Sequence, residues 1–175
     1  EGWSLYDHGL QVSADGPQRW QRSLKKPFTP DQVPFWRGES LAGRHLLLLG
    51  EQGIGDSMMF TTLLPRLQQE GAKISLLPGD RLVPMYRRSL PDVQVLSLND
   101  IRSEKFKHHD FDLQIPLGSI CQYRFTKLSH YSPRSPFLKA NTDQVAKIRN
   151  RYKDSRLLVG ISWQGGGKAS RIPLK

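Results

Sequence analysis

Two glycine-rich turns hold most of the residues able to do chemistry. The first lies in residues 46–60, Leu-Leu-Leu-Leu-Gly-Glu-Gln-Gly-Ile-Gly-Asp-Ser-Met-Met-Phe. An apolar run enters glycines and leaves as a helix, and open parallel sheets bind ligands at such carboxyl ends of strands. Gly53 and Gly55 let backbone amides approach a ligand, and the helix N-terminus favours negative charge. Glu51 and Asp56 put two carboxyl groups in this turn. They would repel a pyrophosphate and suit a hydroxyl-bearing acceptor, whose proton a carboxylate can take. Asp56 also suits the N-cap of the helix, so a purely capping role competes with a chemical one.

Two common nucleotide signatures fail at this turn. Read as a dinucleotide fingerprint from Gly53, the third small residue is replaced by Met58. Read as a phosphate loop, Gly55 is followed by Asp56 and Ser57 with no lysine. The second turn, residues 159–171, is Val-Gly-Ile-Ser-Trp-Gln-Gly-Gly-Gly-Lys-Ala-Ser-Arg. It is again an apolar run followed by glycines, now with Lys168 and Arg171, two cations able to grip a diphosphate. The competing reading is a solvated tail.

The elements that must position these turns follow from periodicity. Residues 45–49, 73–77, 93–98, 111–115 and 157–162 read as strands. Between them, residues 56–69, 81–89 and 142–152 read as helices, with Pro65 expected to kink the first. Residues 101–109 read as a loop or short helix. Trp3, Tyr6 and Leu10 share one helical face, and residues 18–41 form an irregular arm anchored by Phe28, Phe35 and Trp36. Strands alternating with helices predict a doubly wound α/β domain with a parallel sheet. The strand at 157–162 is expected to join that sheet as a fifth member, because an apolar strand left open is an aggregation risk.

Composition sets the bounds. The chain has 175 residues, 37% hydrophobic and 24% charged, which suits one packed domain and excludes wholesale disorder. It opens at Glu1 without an initiator Met or a leader-like stretch, as a processed or excised segment would, and no apolar run is long enough to span a bilayer. Cys121 is the single cysteine, read as a small core residue in a reducing, cytoplasmic setting. His108, His109 and Asp110 are weak as a metal cluster, since adjacent side chains point apart. The net charge of +10 attracts anions, but it is scattered in short clusters and lacks an aromatic–basic platform, which argues against nucleic acid.

Together, in this order, the motifs resemble a known group. The residues that carry the resemblance are 34–44 (Pro-Phe-Trp-Arg-Gly-Glu-Ser-Leu-Ala-Gly-Arg), 46–60, Gly71-Ala72, Leu90-Pro91-Asp92-Val93, 112–117 and 159–171. They are similar to the glycosyltransferase-type domain that follows tetratricopeptide repeats in many bacterial proteins, a relative of the ADP-heptose–lipopolysaccharide heptosyltransferases with the two-domain GT-B fold. The resemblance implies a Rossmann-like doubly wound sheet forming the N-terminal half of a GT-B architecture. Residues 1–42 would be a repeat-helix remnant and arm, 43–154 the acceptor-side domain, and 155–175 the opening strand and loop of a second, donor-binding domain. It implies transfer of a sugar from a nucleotide-sugar donor to an acceptor hydroxyl, with Asp56 as general base. Glu51, Gln52, Gly53 and Gly55 would position the acceptor. Lys168 and Arg171 would lie near the donor phosphates, with Gln164 a further substrate-binding residue of that loop. No metal or cofactor is implied, and upstream repeats would recruit protein partners. Since nearly all of the second domain is missing, turnover is expected of a longer protein rather than of this chain. The alternative is a binding or scaffold module without turnover.

Overall fold

The computed structural model describes residues 2–6, 27–51, 53–131, 136–152, 157 and 159–161. The chain divides into two compact units, residues 1–139 and 140–175. The first unit is built on a four-stranded, all-parallel sheet of β1 (His45–Leu49), β2 (Lys73–Leu77), β3 (Gln94–Val95) and β4 (Leu113–Pro116), in the order β3-β2-β1-β4.

The leucine run explains the place of β1. Leu46, Leu47, Leu48 and Leu49 are all fully buried, as a central strand covered on both faces requires. Side chains alternate across the sheet, so Leu46 and Leu48 enter one core cluster while Leu47 and Leu49 enter the other. On the first face lie α2 (Ile54–Thr61), α3 (Leu64–Gln69), α4 (Val83–Ser89) and α6 (Ile120–Arg124), through Phe60, Leu67, Tyr86 and Cys121. On the second face lie Val33 of the arm, Phe111, and the half-buried Leu98 and Ile101 of α5 (Leu98–Arg102). The connections from β1 to β2 to β3 therefore run over one face and the return from β3 to β4 carries α5 on the other. That is double winding, and it places the topological switch point between β1 and β4.

Several boundaries differ from the sequence reading. The helix expected at 56–69 is two helices, α2 and α3. The first ends where the Thr62 hydroxyl donates to the Met59 carbonyl at 2.7 Å. Pro65 then falls in the first turn of α3, where its missing N–H breaks no helical hydrogen bond. Gly71, at φ +84°, turns the chain into β2. The strand at 93–98 shortens to Gln94–Val95, because Ser97 caps α5 and pulls Leu98 into it. Ser97 Oγ accepts the Asp100 N–H at 3.1 Å, and Asp100 accepts the Ser97 N–H at 2.8 Å. Residues 108–110 form a single 3-10 turn, and no group of three metal-ligating side chains comes together among the described residues.

The arm earns its anchors. Trp36 is 1% exposed, and Phe28 and Phe35 are half-buried against the second cluster. Its backbone also covers the open edge of β4: the Gln114 N–H donates to the Pro34 carbonyl and the Trp36 N–H to the Gln114 carbonyl, both at 2.9 Å. Gln114 itself is buried in β4, and its side-chain amide donates to the Val33 carbonyl at 2.6 Å.

In the second unit, α7 (Thr142–Arg151) matches the amphipathic helix read from the sequence, with Asn141 accepting the Gln144 N–H at 2.9 Å as its cap. The expectation of a fifth strand fails. Among the described residues the sheet has four strands, and Leu157, Val159 and Ile161 lie outside any strand with most of their surface exposed; Leu158 and Ser162 lie outside the described residues. No described helix is long and apolar enough to cross a membrane.

Candidate functional site

The carboxyl ends of β1 and β4 meet at the switch point, where an open α/β sheet leaves a crevice. From β1 the chain passes through Gly50, Glu51 and Gly53 into α2. From β4 it passes through a 3-10 turn, Leu117–Ser119, into α6. Gly50 is required by close approach: its N–H donates to the Leu77 carbonyl at 2.8 Å, and a Cβ there would lie 2.6 Å from that oxygen.

Glu51 is 5% exposed, and its Oε1 accepts the Gly118 N–H at 2.6 Å. This bond ties the loop after β1 to the loop after β4 across the switch point. Gly118 is crowded as well. A Cβ on it would meet the Tyr6 ring at 2.6 Å, Glu51 Oε1 at 2.9 Å and the Tyr6 hydroxyl at 2.9 Å. Gly118 and Tyr6 escaped the sequence reading. The signal for Gly118 was its place directly after a buried strand; Tyr6 gave none beyond its share of an apolar helical face.

Asp56 is not the N-cap. Gly53 is, with extended backbone at φ −83° and ψ 171°, and Asp56 sits three residues in, within the first turn of α2. Its Oδ2 accepts the Gly53 N–H at 3.2 Å, the reciprocal half of a capping box. Glycine supplies no side chain for the other half. Asp56 is half-exposed, and among the described residues this long bond is the only hydrogen bond its carboxylate accepts. A carboxyl group so loosely held can accept a proton from a hydroxyl brought alongside it. Gly55 is exposed, with open space where a Cβ would project. Ser57, in the same turn, is 4% exposed and its hydroxyl has no hydrogen-bond partner.

The structure thus brings Glu51, Gly53, Gly55 and Asp56 onto one turn at the switch point. Gln52, Gln164, Lys168 and Arg171 lie outside the described residues. Away from this turn, at the start of α5 beyond β3, the Asp100 carboxyl is held below the usual range, first by the Ser97 hydroxyl and amide and then by Arg87 and Lys105. Arg87 reaches it at 2.7 Å.

No family model matches the chain, and no solved structure matches it at a significant level. Among curated proteins it is similar to Protein FlbA of Caulobacter vibrioides, 29% identical over 180 aligned positions. The match takes in 94% of this chain and 28% of FlbA, so the chain spans little more than a quarter of that relative's length.

Proposed function

We propose that this chain is the acceptor-side portion of a glycosyltransferase that moves a sugar from a nucleotide-sugar donor to an acceptor hydroxyl. The single observation that carries the reading is the placement of Asp56: half-exposed, in the first turn of α2, at the carboxyl end of the central strand and beside the switch point. Asp56 takes the proton as the acceptor oxygen attacks the anomeric carbon, and the bond from that carbon to the donor phosphate breaks. The exposed Gly53 and Gly55 leave room for the acceptor beside that carboxylate. Glu51 holds the loop from behind, through the Gly118 amide. The resemblance assigns Lys168 and Arg171 to the donor diphosphate and makes Gln164 a further substrate-binding residue. The motif resemblance, which includes the GT-B architecture and the upstream repeats, supports this reading, as does the doubly wound sheet. The buried Cys121, the single cysteine of the chain, suits a reducing cytoplasm.

The test uses a longer protein that supplies the second domain. Asp56→Asn removes the base while preserving shape, and the expected loss of transfer is about 100-fold or more, the usual worth of a positioned base. Unchanged transfer would remove Asp56 from the chemistry. Calorimetric titration with UDP-, GDP- and ADP-linked sugars then separates the alternatives: binding without transfer or hydrolysis is the signature of a scaffold module.

A further inference from the structure

Helix α1 (Gly2–Tyr6) is five residues long and buries none of them completely. Helices this short are marginal on their own in water, so docking holds it rather than propensity. The docking is aromatic. The Trp3 ring meets Phe60 of α2 at 6.1 Å, Tyr6 meets the same ring at 5.9 Å, and Trp3 and Tyr6 meet each other edge-on at 5.5 Å. Leu5, on the other side, is 63% exposed.

What α1 covers gives this contact its meaning. Tyr6 lies over Gly118, and both its hydroxyl and Glu51 Oε1 come within 2.9 Å of the point where a Gly118 Cβ would stand. That point is the carboxyl-end crevice between β1 and β4, where the fold presents its ligand site. Gly118 leaves the space and Tyr6 fills it.

We infer that α1 is an occluding latch: Tyr6 closes the switch-point crevice over Gly118 and Glu51, and a ligand reaches them only when Trp3 and Tyr6 swing off Phe60. The latch rests on the proposed function only in taking this crevice as the ligand site. Segments opened in function come from the least stable parts of a fold, and a five-residue helix held by two half-buried rings fits that description. Any ligand would compete with the Tyr6 ring, so whatever pulls on the N-terminal side of the chain would regulate access.

Carboxyl labelling of the 175-residue chain tests this without any nucleotide sugar, so the latch and the transferase reading can fail separately. A water-soluble carbodiimide with glycine ethyl ester labels exposed carboxyl groups. Glu51 is the reporter, and the exposed Asp92 and Asp143 are internal controls. In Tyr6→Ala, and independently in Trp3→Ala, the Glu51 rate should rise about tenfold, equivalent to ~1.4 kcal/mol of lost docking. The controls should hold, and exchange of the Gly118 amide should accelerate alongside. Wild-type rates at Glu51 in both variants would overturn the latch. So would an equal rise in exchange at the core amides of β1 and β2 in both variants, since α1 would then be a fixed part of the core rather than a locally opening segment.

Discussion

Glu51 sits in a position only 5% exposed because the Gly118 N–H reaches its carboxyl group at 2.6 Å. Replacing it with alanine leaves a buried amide donor unpaired, a loss of about 1–3 kcal/mol. Urea unfolding should therefore show a lower midpoint for Glu51→Ala, and Glu51→Gln, which keeps an acceptor oxygen, should recover part of it. Asp56 is the contrast. The bond its carboxylate accepts from Gly53 is long, at 3.2 Å, so Asp56→Asn should change stability by under ~1 kcal/mol while lowering transfer in the longer protein about 100-fold or more. Stability and activity thus separate the two acidic residues of one turn. The turn's glycines are unequal as well. Gly50 faces a fixed backbone oxygen at 2.6 Å, whereas Gly55 faces open space, so Gly50→Ala should cost about 1–3 kcal/mol or more and Gly55→Ala far less.

Element-scale packing depends on ties that no periodicity reveals. Arg124, at the end of α6, reaches Glu70 after α3 through Nε at 2.8 Å and 2.9 Å, donates to the Gly38 carbonyl at 3.1 Å, and lies 4.7 Å from the Trp36 ring centre. One guanidinium so binds the arm, α3 and α6. Lysine cannot reproduce the fork or the stacking, so Arg124→Lys should lower stability by about 1–3 kcal/mol, read as a shifted urea midpoint. A second tie crosses the sheet. The Ser75 hydroxyl donates to Gln94 Oε1 at 2.6 Å, so its oxygen accepts from His45 Nε2 at 2.8 Å. Burial pushes the His45 imidazole below its ordinary value and Lys73 adds to that, against the opposing pull of the Asp110 backbone, Asp112 and the Asp110 carboxylate. The unfolded chain then binds more protons than the folded one as pH falls below about 6.5, and stability declines through that window. His45→Gln should flatten the slope of urea stability between pH 7 and pH 5. The sequence showed the elements themselves more clearly than these ties. The leucine run at 46–49 announced the central strand because full burial leaves no polar alternation to confuse. The split of α2 from α3 was half legible: Pro65 marked a disturbance, but only the Thr62 hydroxyl bond to Met59 shows that the helix ends before it.

Over the whole molecule, doubly wound topology was legible because alternating periods constrain it, and the turn at 51–56 was found from its glycines alone. Its partners Gly118 and Tyr6 were not, because they reach the site through space, from 67 residues after Glu51 in the case of Gly118. The same limit misplaced 157–162. Its apolar character reads as strand, but strand pairing is made through space, and among the described residues Leu157, Val159 and Ile161 fall outside any strand. What remains in the second unit is exposed apolar surface: Ile148 and Tyr152 at 57% and 50%, and Leu157, Val159 and Ile161 at 89%, 71% and 75%. Exposed apolar residues at alternate sequence positions favour association between copies, and net charge of +10 opposes it only while salt is low. Light scattering by this chain should therefore rise with protein concentration and with added salt. Val159→Lys together with Ile161→Lys should suppress that rise while leaving the urea midpoint of the first unit unchanged, since neither residue belongs to its core clusters. Scattering that persists in the double variant would move the source of association to the apolar face of α7, where Ile148→Lys is the corresponding change.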